Sequence, residues 1–248
     1  MKKYFLILSM LTIQHCIGQI KYGSVQYGKL TYKEFSKDTD KEMADWIAKS
    51  RNEADKIEYT LNFNTSEAYF FANSSLTENA GGFSLSAILG GGMLKYYQNN
   101  TSKEYREYRD SKRTGKVIVN LEQKVDWTLI NETKTIDGKL CYKATSPYYQ
   151  DGNKRESVTI TAWYTPEIPI SFGPAGFGGL PGLILELQGH KGTLYVKKIN
   201  LILDKAPEID KLVSQKAVTQ EIYLQMLMGT FSQEQLDGIK EVDDKQKK

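Results

Sequence analysis

Few side chains in this 248-residue chain could run acid–base or nucleophilic chemistry. It holds only two histidines, His15 and His190, and two cysteines, Cys16 and Cys141. A serine–histidine–acid arrangement in the body of the chain has to use His190, which stands in Gly189-His190-Lys191-Gly192, the pattern of an exposed turn. Cys141 falls in a strand-like segment and reads as a structural thiol, since a nucleophile there would need a depressed pKa. Thirty acidic residues allow a carboxylate pair for hydrolysis, but spacing alone singles out no pair. A Cys/His metal centre cannot be assembled from so few ligands, and no loop carries the acidic spacing of a calcium-binding helix–loop–helix. The GGFSLSAILGGG stretch within residues 79–92 has neither the Lys-Ser/Thr ending of a phosphate loop nor a nucleophile-elbow pattern. It reads as a crossover or a ligand-contacting flap. No catalytic residue, metal site or cofactor is assigned on these grounds.

The N-terminus speaks to location. Met1-Lys2-Lys3 is followed by an apolar run, then by Cys16-Ile17-Gly18, which is the pattern of a secretory signal peptide cut after Gly18. Lipidation of Cys16 is the alternative. Removal of residues 1–18 takes Lys2 and Lys3 away, so the formal charge falls from +3 to +1. A near-neutral surface gives no electrostatic case for nucleic acid. The apolar run is too short for a membrane span, and no transmembrane segment is expected in the mature chain. Residues 19–248 read as a single domain, expected in the periplasm or associated with the outer membrane.

Most of what must position any site reads as strand. Ile57, Tyr59, Leu61 and Phe63 alternate on one side, Asn64-Thr65-Ser66 suggests a turn, and residues 67–71 a returning strand. Further strands are expected over 105–109, 116–121, 125–130, 157–164, 183–188 and 193–203. Asp137-Gly138 is a two-residue hairpin signal. It predicts Glu132 opposite Lys143, Lys134 opposite Cys141 and Thr135 opposite Leu140, a register in keeping with the opposite charges at 132 and 143. A second Asp-Gly stands at 151–152. Helices are expected over 40–56, with Met43, Trp46 and Ile47 on one face, and over 217–228, with Val218, Ile222 and Met226 inward and Gly229 as the stop. A last short helix follows Ser232. About ten strands joined by short turns predict a mainly β, α+β fold: a large curled antiparallel sheet, half-barrel-like, packed against a few helices. The 217–228 helix is expected across its concave side.

Residues 163–187, WYTPEIPISFGPAGFGGLPGLILEL, look specified beyond ordinary folding needs. Pro166 and Pro169 lack ladder donors and fit an edge or bulged strand; Gly173-Pro174 breaks it; Pro181-Gly182 suggests a type II turn. The segment is read either as a staple at one end of the sheet or as an apolar loop that meets a partner through Phe172, Phe177, Leu180 and Pro181. Trp163, Pro166, Pro169, Gly173, Pro174, Gly179 and Gly182 are its structural positions. Residues 179–184 spell GLPGLI, and with residues 163–170 and Gly173-Pro174 they resemble the hallmark of the GLPGLI family of secreted proteins from Bacteroidetes-type bacteria. The resemblance implies an envelope location, with an outer-membrane transporter or another envelope protein as partner. It brings no activity and no catalytic residues with it.

The sequence thus predicts a non-catalytic envelope binding or accessory protein for an apolar peptide, lipid or outer-membrane partner. The alternative is a periplasmic hydrolase using carboxylates or His190.

Overall fold

Ile57, Tyr59, Leu61 and Phe63 alternate with polar residues, and all four are buried, so one face of their strand is committed to a core. In the computed structural model, which describes residues 20–32, 40–73, 95–111, 113–122, 125–149, 157–189, 192–213 and 217–229, that strand is one of twelve. They are β1 (Tyr22–Leu30), β2 (Tyr59–Asn64), β3 (Glu67–Ala72), β4 (Lys95–Asn99), β5 (Glu104–Ser111), β6 (Gly115–Asn120), β7 (Thr128–Ile136), β8 (Lys139–Tyr149), β9 (Ser157–Thr165), β10 (Leu183–Gly189), β11 (Gly192–Asn200) and β12 (Ala217–Thr219). Two helices accompany them, α1 (Lys41–Ala54) and α2 (Gln220–Met228). All strands lie in one sheet of order β12-β6-β5-β4-β3-β2-β1-β11-β10-β9-β8-β7.

Two sequential meanders make up that order, β2 to β6 and β7 to β11. β1 joins them, antiparallel to β2 on one side and to β11 on the other. Local chemistry sets the turns. The Asn64 side chain accepts hydrogen bonds from the backbone N–H of Ser66 and Glu67, closing the β2–β3 hairpin. Asp137 and Gly138 both take positive φ, 49° and 72°, the demand of a two-residue hairpin turn. Lys134 then faces Cys141 and Thr135 faces Leu140, as expected. Glu132 does not share the register with Lys143, because a bulge between Ile130 and Thr133 displaces it, yet the two side chains still meet at 2.9 Å. Pro147 sits in β8 beyond the end of its pairing with β7, where its missing N–H leaves no gap in that ladder.

Three coverings bury the sheet. On one face, residues 166–178 press Ile168, Ile170 and Phe172 onto Val25, Tyr27, Leu61 and Phe70. α2 lies on that same face at the β6 end, where Val117 and Val119 meet Val218 and Tyr223. On the other face, the strap of residues 201–213 leaves β11 and runs back across the first meander, setting Ile209 and Leu212 over Tyr69, Tyr97 and Ile118. The strap is tied by Asn62 donating to Glu208 O, Arg106 donating to Lys211 O, and a Lys211–Glu67 ion pair at 2.8 Å.

The curled, half-barrel-like antiparallel sheet is not what forms. The sheet is open and mixed: β12 runs parallel to β6 at one edge, β7 is the other edge, and only two short helices accompany it among the described residues. The physical reason is that β12 comes to the β6 edge from the far half of the sheet, after β7 to β11 and the strap, and not through a hairpin, so it is free to pair parallel. β12 also takes Val218 out of the expected helix and into a strand. α1 is capped by Asp40, whose carboxylate accepts from Met43 N–H, but its buried residues are Ser50 and Ala54, while Met43 and Trp46 are exposed. No helix among the described residues is long and apolar enough to cross a membrane. The signal segment with His15 and Cys16, residues 79–92, Asp151-Gly152, His190 and the helix after Ser232 lie outside the described residues.

Candidate functional site

The 163–187 segment is bound into the core along its length. Trp163 ends its strand run buried, Thr165 closes β9, and the chain then turns through Pro166 and Pro169, both exposed, in place of an edge strand. Phe172 bridges to Gly178 around a single 3-10 turn, Pro174–Gly176. Ile184 N–H donates to Phe172 O and Leu183 N–H to Ile168 O, which fasten the loop to β10. The Trp127 indole donates to Gly178 O at 2.8 Å, and the Tyr27 hydroxyl, fully buried, donates to Ile184 O at 2.7 Å. Burial raises the Tyr27 hydroxyl far above its ordinary pKa, so it is a permanent donor. Pro181-Gly182 is not a type II turn, since Gly182 does not take positive φ; its N–H donates to Leu180 O instead. Glycine is required there because the Thr165 carbonyl packs against its α-carbon.

Of the expected contact residues, Phe172 and Leu180 lie in the core at 1% and 2% exposure. Phe177 is half-buried against Trp127, and Pro181 is exposed. Of the structural positions, Gly173, Pro174 and Gly182 are buried and Gly179 is exposed.

The 174–178 turn also edges a buried polar cluster on β4 and β5. Gln98 donates its amide to Gly176 O, and the Tyr96 ring lies beneath Gly176. Tyr96 pairs across the ladder with Glu107, and Glu107 with Val119, so these residues share the face on which α2 sits. The Glu107 side chain is only 7% exposed. It accepts from Arg109 at 2.8 Å and from the Tyr96 hydroxyl at 3.3 Å. Tyr223 of α2 closes the other side, its ring 4.5 Å from the Arg109 guanidinium. Burial alone would pull the Arg109 pKa down, but the Glu107 carboxylate and the Tyr223 hydroxyl more than offset it and hold Arg109 above its ordinary value. The Arg109 Nε–H is buried with no acceptor among the described residues. A carboxylate, a permanent cation with a spare donor and a phenol therefore converge between the loop and α2. Such a group can take up a proton and stabilise developing negative charge.

A second polar group lies on the other meander. Lys143, Trp163 and Glu186 form one cross-strand row. Lys134 stands 4.4 Å from the Trp163 ring centroid and 2.8 Å from Glu186, while Lys143 pairs with Glu132. Here every charge has a partner in reach. Cys141 beneath is fully buried, and burial raises its thiol to about 11, so it is a thiol and not a thiolate near neutral pH. Among the described residues no three His, Cys, Asp or Glu side chains cluster as metal ligands.

Glu107, Arg109, Tyr96 and Gln98 were not singled out by the sequence. The signal was there in EYREYRDS of β5, which places charges on both faces of a strand flanked by the apolar GKVIVN of β6. One set, Glu104 with Arg106, faces the strap side; the other, Glu107 with Arg109, points where a core residue would be expected.

Residues 149–186 match a family described as "Protein of unknown function (Porph_ging)", a stretch that includes Trp163 and the 166–182 loop. No curated protein matches the chain in sequence. Among solved structures, the chain resembles PNGF-II in the P21 space group, with a TM-score of 0.54 at 15% identity over 84% of this chain and 33% of that one. PNGF-II in the C2 space group gives 0.52 at 14% identity over the same shares. The likeness is one of fold, and the chain spans about a third of the length of PNGF-II.

Proposed function

We propose that this chain is an exported hydrolase of the cell envelope, working through Glu107 with Arg109 at the junction of the 174–178 turn and α2. The observation that carries the reading is the pair of a buried Glu107 and a half-buried Arg109 whose buried Nε–H meets no acceptor among the described residues. A buried ion pair is seldom worth more to stability than apolar packing of the same volume, so its placement in a core layer calls for another role. In that role Glu107 accepts a proton from the attacking water and returns it to the leaving group as the scissile bond breaks. The free N–H of Arg109 receives the substrate oxygen on which negative charge grows. Tyr96 and Gln98 hold the carboxylate and the loop in place. The signal-peptide pattern of residues 1–18 supports export, and the GLPGLI hallmark at 179–184 supports membership of that family.

A second reading, a non-catalytic accessory protein for an apolar ligand or an outer-membrane partner, is favoured by one observation. Exposed Pro181 and half-buried Phe177 form an apolar rim on an otherwise core-bound loop. Turnover of envelope peptides and glycans by the purified chain separates the two. The hydrolase reading expects Glu107→Gln to lower turnover about 10²- to 10⁴-fold in protein that still folds, its Tm lowered by the loss of the carboxylate beside Arg109. Full turnover in that variant, or none in the wild type alongside specific crosslinks from position 181 to a membrane protein, would give the second reading the place of the first.

A further inference from the structure

The Glu107 carboxylate is buried and the Arg109 guanidinium half-buried, and two sides that are held very differently cover them. The 166–178 side is anchored by Ile168, Ile170 and Phe172, all buried, and by backbone hydrogen bonds to β10. The α2 side depends on β12, a three-residue parallel strand at the extreme edge of the sheet. Within α2 only Tyr223 is buried; Ile222, Met226 and Leu227 are partly buried against it, and Met228 is exposed. The helix has its own caps, Thr219 Oγ1 accepting from Ile222 N–H and Gly229 in the left-handed conformation. It can therefore move without unwinding. The strap, which ends at Val213, is held on the opposite face by Leu212 and the Lys211–Glu67 pair, so it is not part of the body that moves. A short edge element with two buried anchors, Val218 and Tyr223, is the kind of unit that opens ahead of the core.

We infer that β12 and α2 form a gate that opens as one body, lifting Tyr223 from Arg109 to admit ligand to the Glu107–Arg109 pair. The purpose of the gate rests on the hydrolase reading, but its motion does not. The test reads motion and needs no turnover. Val119 and Val218 are register partners across the β6–β12 pair, so Val119→Cys with Val218→Cys places a lock on the gate. Phenylglyoxal labelling, followed by peptide mass spectrometry, reports access to each arginine. Arg109 is expected to label at least tenfold more slowly in the oxidised than in the reduced protein, while Arg106, on the opposite face, labels alike in both. Equal labelling of Arg109 in the two forms overturns the gate, as does an Arg109 that never labels in the reduced form. If the double variant does not fold or does not oxidise, hydrogen exchange on the unaltered chain decides. The gate requires amides of 220–228 to exchange faster than those of 183–189, and exchange of both only with global unfolding refutes it. A working gate with no loss of activity in Glu107→Gln would leave the motion and remove the catalytic reading.

Discussion

Replacing Gly182 with alanine tests how the 163–187 segment is held. A β-carbon there would stand 2.5 Å from the Thr165 carbonyl carbon and 2.8 Å from Pro166 N, and closer still to the Thr165 oxygen. These are backbone atoms of the β9 exit, so no side chain can rotate away, and relief has to come from moving β10 against β9. Two hydrogen bonds sit in the path of that movement, Gly182 N–H to Leu180 O at 2.8 Å and Leu183 N–H to Ile168 O at 3.0 Å. Overpacking of this kind costs about 1–3 kcal/mol, and obstruction by backbone puts Gly182→Ala at the upper end, about 3 kcal/mol. For a chain of this size that lowers Tm by about 6–12 °C. Gly179→Ala is the control. Its φ of +86° strains an alanine, but nothing stands within 4 Å of the added carbon. About 1 kcal/mol and a fall of about 2–4 °C are expected there. Differential scanning calorimetry of the two variants beside the wild type measures both. If Gly182→Ala melts no lower than Gly179→Ala, the close packing of Thr165 on Gly182 is not what fixes the loop, and the reasoning fails.

Cys141, with its thiol at about 11, should resist Ellman's reagent at pH 8 in the folded protein, where roughly one thiol in a thousand is ionised, and react at once in denaturant; rapid labelling without unfolding would contradict its burial. Glu67, held below the usual carboxylate range first by Lys211 and Tyr97, contributes stability that is complete above the unfolded pKa of about 4.3 and is lost as pH falls through its lower folded value. Glu67→Gln should therefore narrow its stability difference from wild type on acidification below pH 4 in urea titrations, and a constant gap down to pH 2 would argue against the pair.

Much of the sheet was legible because its rules are local. The alternation over residues 57–63 is answered by four buried side chains, and Asp137-Gly138 fixes both a turn and most of a register. Gly229 ends α2 where the sequence puts its stop, and α1 lies within the 40–56 range expected for it. What was not legible is long-range. Nothing in β1 announces that its second neighbour is β11, and the run from Leu201 to Val213 carries no periodicity that marks it as a crossover. β4, KYYQN, mixes polar and aromatic residues in a way that no single-strand pattern resolves. The site was hidden for the same reason. Glu107 and Arg109 read as ordinary surface charges until β4, β6 and α2 close around them, and the burial that singles them out belongs to the assembled sheet.

The position of β1 bears on the order in which this chain can be made. β1 is made before the other strands of the sheet, yet one of its two ladders must wait for β11, the better part of two hundred residues later. The first meander can assemble on β2 while it waits, so a growing chain presents β1 as a long unpaired edge carrying Val25 and Tyr27, both fully buried in the finished protein. Only the arrival of the second meander removes that edge. An early strand set in the middle of a sheet thus makes completion of the fold depend on the presence of β11, and any truncation before Gly192 leaves an adhesive seam where the two halves should have met.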